Sequence, residues 1–157
     1  MNQPLKRTML IILILLWMLT IFFFSSQNGE QSGNLSMSIT DEICSIIYHN
    51  HEVTEQNKEM INHIIRKGAH FTIYLIGGII AFNLLNTFNL TLKRKIVYAQ
   101  IICSAYAITD EFHQVFSAGR TPAVGDVLID SAGALVGILI FAGLYYKIRR
   151  KKYVEET

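Results

Sequence analysis

Cysteine and net charge are both scarce in this chain. Its two cysteines, Cys44 and Cys103, fall in different surroundings, one outside the long apolar runs and one inside them. No intramolecular disulfide is therefore expected. A formal net charge of +2 is too small to point to nucleic acid. HExxH, CxxC, a glycine-rich loop that would cradle phosphate, and a nucleophile elbow are all missing. There is no internal repeat and no low-complexity segment. The common signatures of zinc, thiol-redox, nucleotide and serine-hydrolase chemistry are thus absent.

What is present is hydrophobicity gathered into blocks. Of the 157 residues, 51% are hydrophobic and 17% charged. The length suggests one domain, and the blocks suggest a membrane protein. The first block, "TMLIILILLWMLTIFFF" (8–24), carries no charge. As a helix it reaches roughly 25 Å, just enough to span a bilayer. No small-x-small cleavage site follows it, so it reads as a retained helix and not a removed signal. Three further blocks cover 68–88, 96–116 and 122–146. Thr121 suits the N-cap of the last, and Pro122 its first helical position, where a missing N–H is tolerated. The expected fold is an all-α membrane protein, a single domain over 1–157, with four transmembrane helices and an outer amphipathic helical segment.

Charge sets the expected topology. Lys6 and Arg7 precede the first block, and Lys93, Arg94 and Lys95 join the second and third. Lys147, Arg149, Arg150, Lys151 and Lys152 follow the fourth. These lie on one side, which the positive-inside rule makes cytoplasmic, while the other side holds nearly all the acids. Both termini are then cytoplasmic in a multi-pass protein. Tyr145 and Tyr146 sit where an interfacial aromatic belt would.

The outer segment, 25–67, opens on a polar turn, "SSQNGEQSGN". Leu35, Ile39, Ile43, Ile46 and Ile47 then recur at helical spacing, as in an amphipathic helix lying on the membrane or capping the bundle. Val53, Met60, Ile61, Ile64 and Ile65 repeat the pattern in a helix expected to run into the second span. The segment reads either as a lid that only packs or as one that touches a ligand.

At 100° per residue the polar residues fall into stripes. Arg66, His70 and Tyr74 form one, continued by Gly77 and flanked by Lys67. Cys103, Tyr106, Asp110 and Gln114 form a second, with Glu111 and His113 at its edges. Asp126 and Asp130 form a third, continued by Gly133 and Gly137, small residues that would let a neighbouring helix come close. All three stripes put their polar ends on the same side. A charge at the bilayer centre costs at least about 2.5–3.5 kcal/mol, so these carboxylates should face inward and meet Arg66, Lys67, Arg120, His70 or His113.

Four chemistries fit such a cluster. It can be a salt-bridge network that locks the helices. It can bind an anionic head group through Arg66, Lys67 and Arg120, since Arg suits bidentate contact with phosphate. It can be a catalytic centre, with His70 or His113 as acid or base beside the carboxylates Asp110 and Glu111. It can hold a divalent metal such as Mg²⁺ on Asp110, Glu111, Asp126 and Asp130. Cys103, Tyr74 and Tyr106 read first as packing residues. His49, His51 and His63 carry no assignment, and nothing marks Ser117 or Ser131 as activated.

The same residues resemble a known family. "RKGAHFTIYLIGG" followed by "YAITDEFHQVFSAGRTPAVGDVLIDSAGALVG" is similar to the VanZ-like membrane proteins, whose pattern is Arg-Lys-x-x-His-Phe-x-x-Tyr, then Asp-Glu-x-x-Gln, Gly-Arg, and Asp with a glycine-rich helix. The resemblance covers essentially the whole chain. It implies motif residues Arg66, Lys67, His70, Tyr74, Asp110, Glu111, Gln114, Arg120, Asp126 and Asp130. It also implies a plasma-membrane protein tied to glycopeptide, chiefly teicoplanin, resistance, and no particular reaction. One departure stands out: many members carry Glu just before the Tyr, where this chain has Ile73.

The combined expectation is an envelope protein whose outer pocket recognises a membrane lipid or lipid-linked precursor through a phosphate-bearing head group. Tyr74, Tyr106, Gln114, Asp126 and Asp130 would join Arg66, Lys67 and Arg120 in binding it. The alternatives are a membrane enzyme acting on such a lipid, with His70 as base and Asp110 or Glu111 as acid or metal ligand, and a structural or partner protein.

Overall fold

The computed structural model describes residues 2–26, 29–48, 53–116 and 123–155. Five helices follow one another: α1 (Gln3–Ser26), α2 (Gly29–Tyr48), α3 (Glu55–Leu85), α4 (Leu92–Gln114) and α5 (Val124–Glu155). Arg120, Ser117, Thr121, Pro122, His49 and His51, all weighed above, lie outside the described residues.

Three of these helices are long and apolar enough to cross a membrane: Gln3–Ser26, Glu55–Leu85 and Val124–Ile148. The expectation of four is met only in part. Helix α4 has the length, roughly 34 Å at 1.5 Å per residue, but its ends carry Lys93, Arg94, Lys95, Asp110 and Glu111, and Gln100 and Ser104 lie between. One boundary also differs. The predicted polar turn is mostly helix, because α2 already begins at Gly29. Helix α5 is described from Val124, with the Asp126 amide donating to the Ala123 carbonyl at 2.9 Å, and the expected start at Pro122 lies outside the described residues.

Helix α3 is continuous from the outer segment into the membrane, as its repeat of apolar residues predicts. Thr54 caps it, its hydroxyl accepting from the Asn57 amide. At 31 residues it measures roughly 46 Å, more than the ~30 Å hydrocarbon core, so one end projects beyond the apolar layer. Thr91 caps α4 in the same manner.

The most extensive contact in the molecule is α3 against α5. It is made by small residues. A Cβ at Gly78 would strike the Ala134 carbonyl, one at Gly133 the Phe71 carbonyl, and one at Gly137 the Leu75 carbonyl. The backbones therefore touch, as the Gly133–Gly137 spacing predicts. Within a membrane, where lipid is as apolar as leucine, such close packing is what holds helices together. Helix α4 joins through Ala99, Cys103 and Ala107, all fully buried. Gln100 Nε2 donates to the Ser131 carbonyl of α5 at 3.0 Å.

Trp17 ties α1 to this core. Its Nε1 donates to the Ile73 carbonyl at 2.9 Å, and its ring lies 5.4 Å from Tyr74, edge-on, and 5.3 Å from Tyr106. The rest of α1 turns apolar side chains outward, among them Leu16, Leu19 and Phe23. Both cysteines are free.

The opposite end of the bundle is fixed by cations. Arg7 donates to the Thr87 carbonyl at 2.9 Å and lies 4.2 Å over the Phe88 ring. Lys95, though buried, donates to Asn86 Oδ1 at 2.7 Å.

Helix α2 packs principally on α3. Of the two expected placements, on the membrane or capping the bundle with its apolar face, its burial pattern suits the first. Ser36, Thr40 and Cys44 are buried, whereas Ile39 and Ile46 are exposed. Thr40 meets Asn62 at 3.5 Å, and Lys58 pairs with Asp41 at 3.2 Å. The helix thus offers small polar groups to the bundle and apolar ones to its surroundings, the arrangement expected at a membrane surface.

Candidate functional site

The polar stripes of α3, α4 and α5 come together at one end of the bundle. Helical spacing does most of this. Arg66, His70 and Tyr74 descend α3 at intervals of about 6 Å. Asp110 and Gln114 occupy one face of α4, and Asp126 and Asp130 one face of α5. Close approach of α3 to α5 then places His70 Nδ1 3.3 Å from Asp130 Oδ1 and Lys67 Nζ 3.5 Å from Asp126 Oδ1. Asp130 is buried, while the Lys67–Asp126 pair is about one-third exposed.

The two carboxylates of α4 have different surroundings. Glu111 Oε1 accepts from the Ala123 amide at 2.6 Å, just ahead of α5. Asp110 accepts a long bond, 3.5 Å, from Gln114 Nε2, and Ser25 reaches it from α1. Among the described residues no cation lies within ion-pair distance of Asp110.

Beside these groups lies a partly open cavity of about 300 Å³. Four helices line it. Ile21, Phe24 and Ser25 come from α1, and Ser36 and Ile39 from α2. Arg66, His70, Ile73 and Tyr74 come from α3, and Asp110 and Gln114 from α4. The volume is at the lower end of small-molecule sites, which run from about 300 Å³ upward.

Of the predicted site residues, Arg66, His70, Tyr74, Asp110 and Gln114 line this cavity. Asp130 stands behind His70. Lys67, Asp126 and Glu111 belong to the same polar end but do not line the cavity. Tyr106 is turned away, its hydroxyl bonded to the Met18 carbonyl. The His113 ring lies 4.6 Å from that of Phe22, tilted against it. No three His, Cys, Asp or Glu side chains converge as a metal-binding group among the described residues. The four weighed carboxylates are instead divided among Lys67, His70, the Ala123 amide and the cavity.

Sequence reasoning missed the apolar wall and the two serines. Ser36 and Ser25 are buried and line the cavity. The available signal for Ser25 is its place one turn beyond Ile21 and two beyond Trp17, on the buried stripe of α1. Ile73, where the resemblance expects Glu in many members, is itself a lining residue.

The comparisons with known proteins bear on this arrangement. A family model described as VanZ/LLP1 matches residues 10–146. No curated protein and no solved structure matches the chain.

Proposed function

From the premise that this chain belongs to the VanZ/LLP1 family, we propose that it binds a lipid-linked or phosphate-bearing head group in the outer leaflet, in the cavity between α1, α2, α3 and α4. By altering the envelope surface in this way it would change susceptibility to glycopeptides such as teicoplanin.

The observation that carries this reading is the state of Arg66. Lys67 and His70 each face a carboxylate, but Arg66 lines the cavity with no acidic partner among the described residues. An unpaired guanidinium at the mouth of a mostly apolar cavity suits a phosphate carried on a lipid. Arg66→Gln should therefore fold normally and lose the glycopeptide phenotype and retention of anionic phospholipid. Asp110→Ala serves as a companion. No cation pairs with Asp110 among the described residues, so folded yield in detergent should hold; under the binding reading the phenotype disappears, and under a purely structural reading the drug response stays that of the wild type. Wild-type drug response from a well-folded Arg66→Gln protein would remove the proposal.

A second reading is supported by one contact. The His70–Asp130 couple beside the cavity resembles an oriented general base, so a membrane enzyme acting on a lipid or lipid-linked precursor is the alternative. Incubating purified protein with native lipids, with and without chelator, separates the two: an enzyme changes a lipid's mass and a binder does not.

This reading places the protein in the plasma membrane with four crossings and both termini in the cytoplasm. Helix α4 supports its share of that by exposing Val97, Tyr98, Ile101, Ile108 and Phe112 along one side, a stripe suited to lipid. In a chain freed of its native cysteines, Phe116→Cys should react with an impermeant maleimide on intact cells, and Arg94→Cys only after lysis. Labelling of both from one side would deny α4 a crossing.

A further inference from the structure

We infer that the cavity is built for a zwitterionic head group, a phosphate joined to a primary ammonium as in phosphoethanolamine, and not for a phosphate alone. This rests on the head-group reading above and narrows it. The charges that line the cavity are Arg66, His70 and Asp110. His70 is engaged by Asp130 at 3.3 Å. What remains among the described residues is one guanidinium at the exposed end of the α3 stripe and one buried carboxylate, Asp110, which meets the neutral donors Gln114 and Ser25 and no cation within ion-pair distance. A cation and an anion that have no charged partner among the described residues, in a single small cavity, match a ligand that carries both signs.

Tyr74 adds an independent observation. It lines the cavity and is fully buried, yet its hydroxyl has no hydrogen-bond partner among the described residues. A buried polar group left unmade costs about 1–3 kcal/mol, so such a group is ordinarily satisfied by something. An ammonium seated between Asp110 and Tyr74 would donate to the carboxylate and to the phenolic oxygen together. Gln114, whose amide nitrogen is turned to Asp110, keeps its carbonyl oxygen as a further acceptor. The rings of Tyr74 and Phe24 supply faces for the cation. Ile73 matters here too: an acid at this lining position would add a second negative charge, and its absence leaves the charges balanced.

Size points the same way. About 300 Å³ admits a head group but not two acyl chains. Ile39, which lines the cavity and is partly exposed, offers an apolar edge along which the chains can stay in the membrane.

The test uses the full chain purified in detergent, with native mass spectrometry of retained lipid. The probes are phosphatidylethanolamine, phosphatidylcholine and phosphatidylglycerol, offered singly. Phosphatidylcholine has the charges but no N–H donor, and phosphatidylglycerol has the phosphate but no cation. Phosphatidylethanolamine should be retained about tenfold better than either, the difference expected from one charge-assisted hydrogen bond. Tyr74→Phe and Asp110→Asn should each erase that preference. Free phosphoethanolamine should displace the lipid if the head group alone is read, and failure to displace would assign the recognition to the intact lipid.

Equal retention of all three lipids would overturn this inference and leave the phosphate reading standing. No retention of any lipid would overturn both. A folded Tyr74→Phe protein that keeps the wild-type preference would also overturn it. That variant decides the matter even if Asp110→Asn fails to fold, because the Tyr74 hydroxyl has no partner to lose among the described residues.

Discussion

Gly137→Leu is expected to yield little folded protein, and what is recovered should melt well below the wild type in detergent. At this position even a Cβ would strike the Leu75 carbonyl of α3. That atom belongs to the backbone of a helix and cannot swing aside, so the helices must part. Separation would be felt along the whole α3–α5 contact, the most extensive in the molecule. Overpacking in cores costs about 1–3 kcal/mol and sometimes more, and a leucine here demands more room than one methyl. Gly137→Ala should fall between the two. Gly143→Leu is the control: it lies on the same helix, its Cβ would meet nothing within 4 Å, and the melting temperature should be unchanged. Coincident melting curves for Gly137→Leu and wild type would mean that α3 and α5 do not touch in this way.

His70→Ala is the second large effect. It strips the imidazole from Asp130, whose side chain is 1% exposed, and leaves a carboxylate buried beside its former partner. Breaking a buried pair from one side costs about 3–5 kcal/mol. The lower end applies because His70 is 31% exposed and water can reach the gap. The double variant His70→Leu with Asp130→Leu should regain most of the loss, since an apolar pair of similar volume is often no worse than the ions it replaces. Lys67→Ala, which breaks a pair open to solvent, should cost only about 0–1 kcal/mol. Equal destabilisation by His70→Ala and Lys67→Ala in thermal melts would show that burial does not distinguish these two contacts.

These two experiments probe features of different legibility. The glycines of α5 could be read directly, because GxxxG spacing puts Gly133 and Gly137 on one face whatever the neighbour is. That the neighbour is α3, and that Gly78 answers from its side, could not. The tryptophan that fills the space over Gly77 is one large residue inside an apolar run, and nothing local separates it from the leucines around it.

Helix α2 shows what pattern reading leaves open. Its isoleucines recur at the interval of an amphipathic helix, which can turn its apolar face to the protein or to the membrane. Where lipid is the surroundings, apolar residues can stay outside and small ones face the protein, so Ser36, Thr40 and Cys44 take the contact. Helix α4 shows the converse. Its charges are concentrated at its two ends, and counting composition alone hides the apolar stripe that it exposes.

The order of residues settled which side chains share a helical face, since that follows from a fixed rotation per residue and needs no partner. It therefore determined that His70, Asp110 and Asp130 lie at one end of a helical bundle. Only the tertiary structure decided that Asp130 goes to His70, Asp126 to Lys67 and Glu111 to the Ala123 amide, while Asp110 is left to the cavity. Those pairings depend on how far each helix turns about its axis and how closely two backbones approach. Both are fixed by contacts, such as Gly137 on Leu75 and Trp17 on Ile73, between residues far apart in the chain.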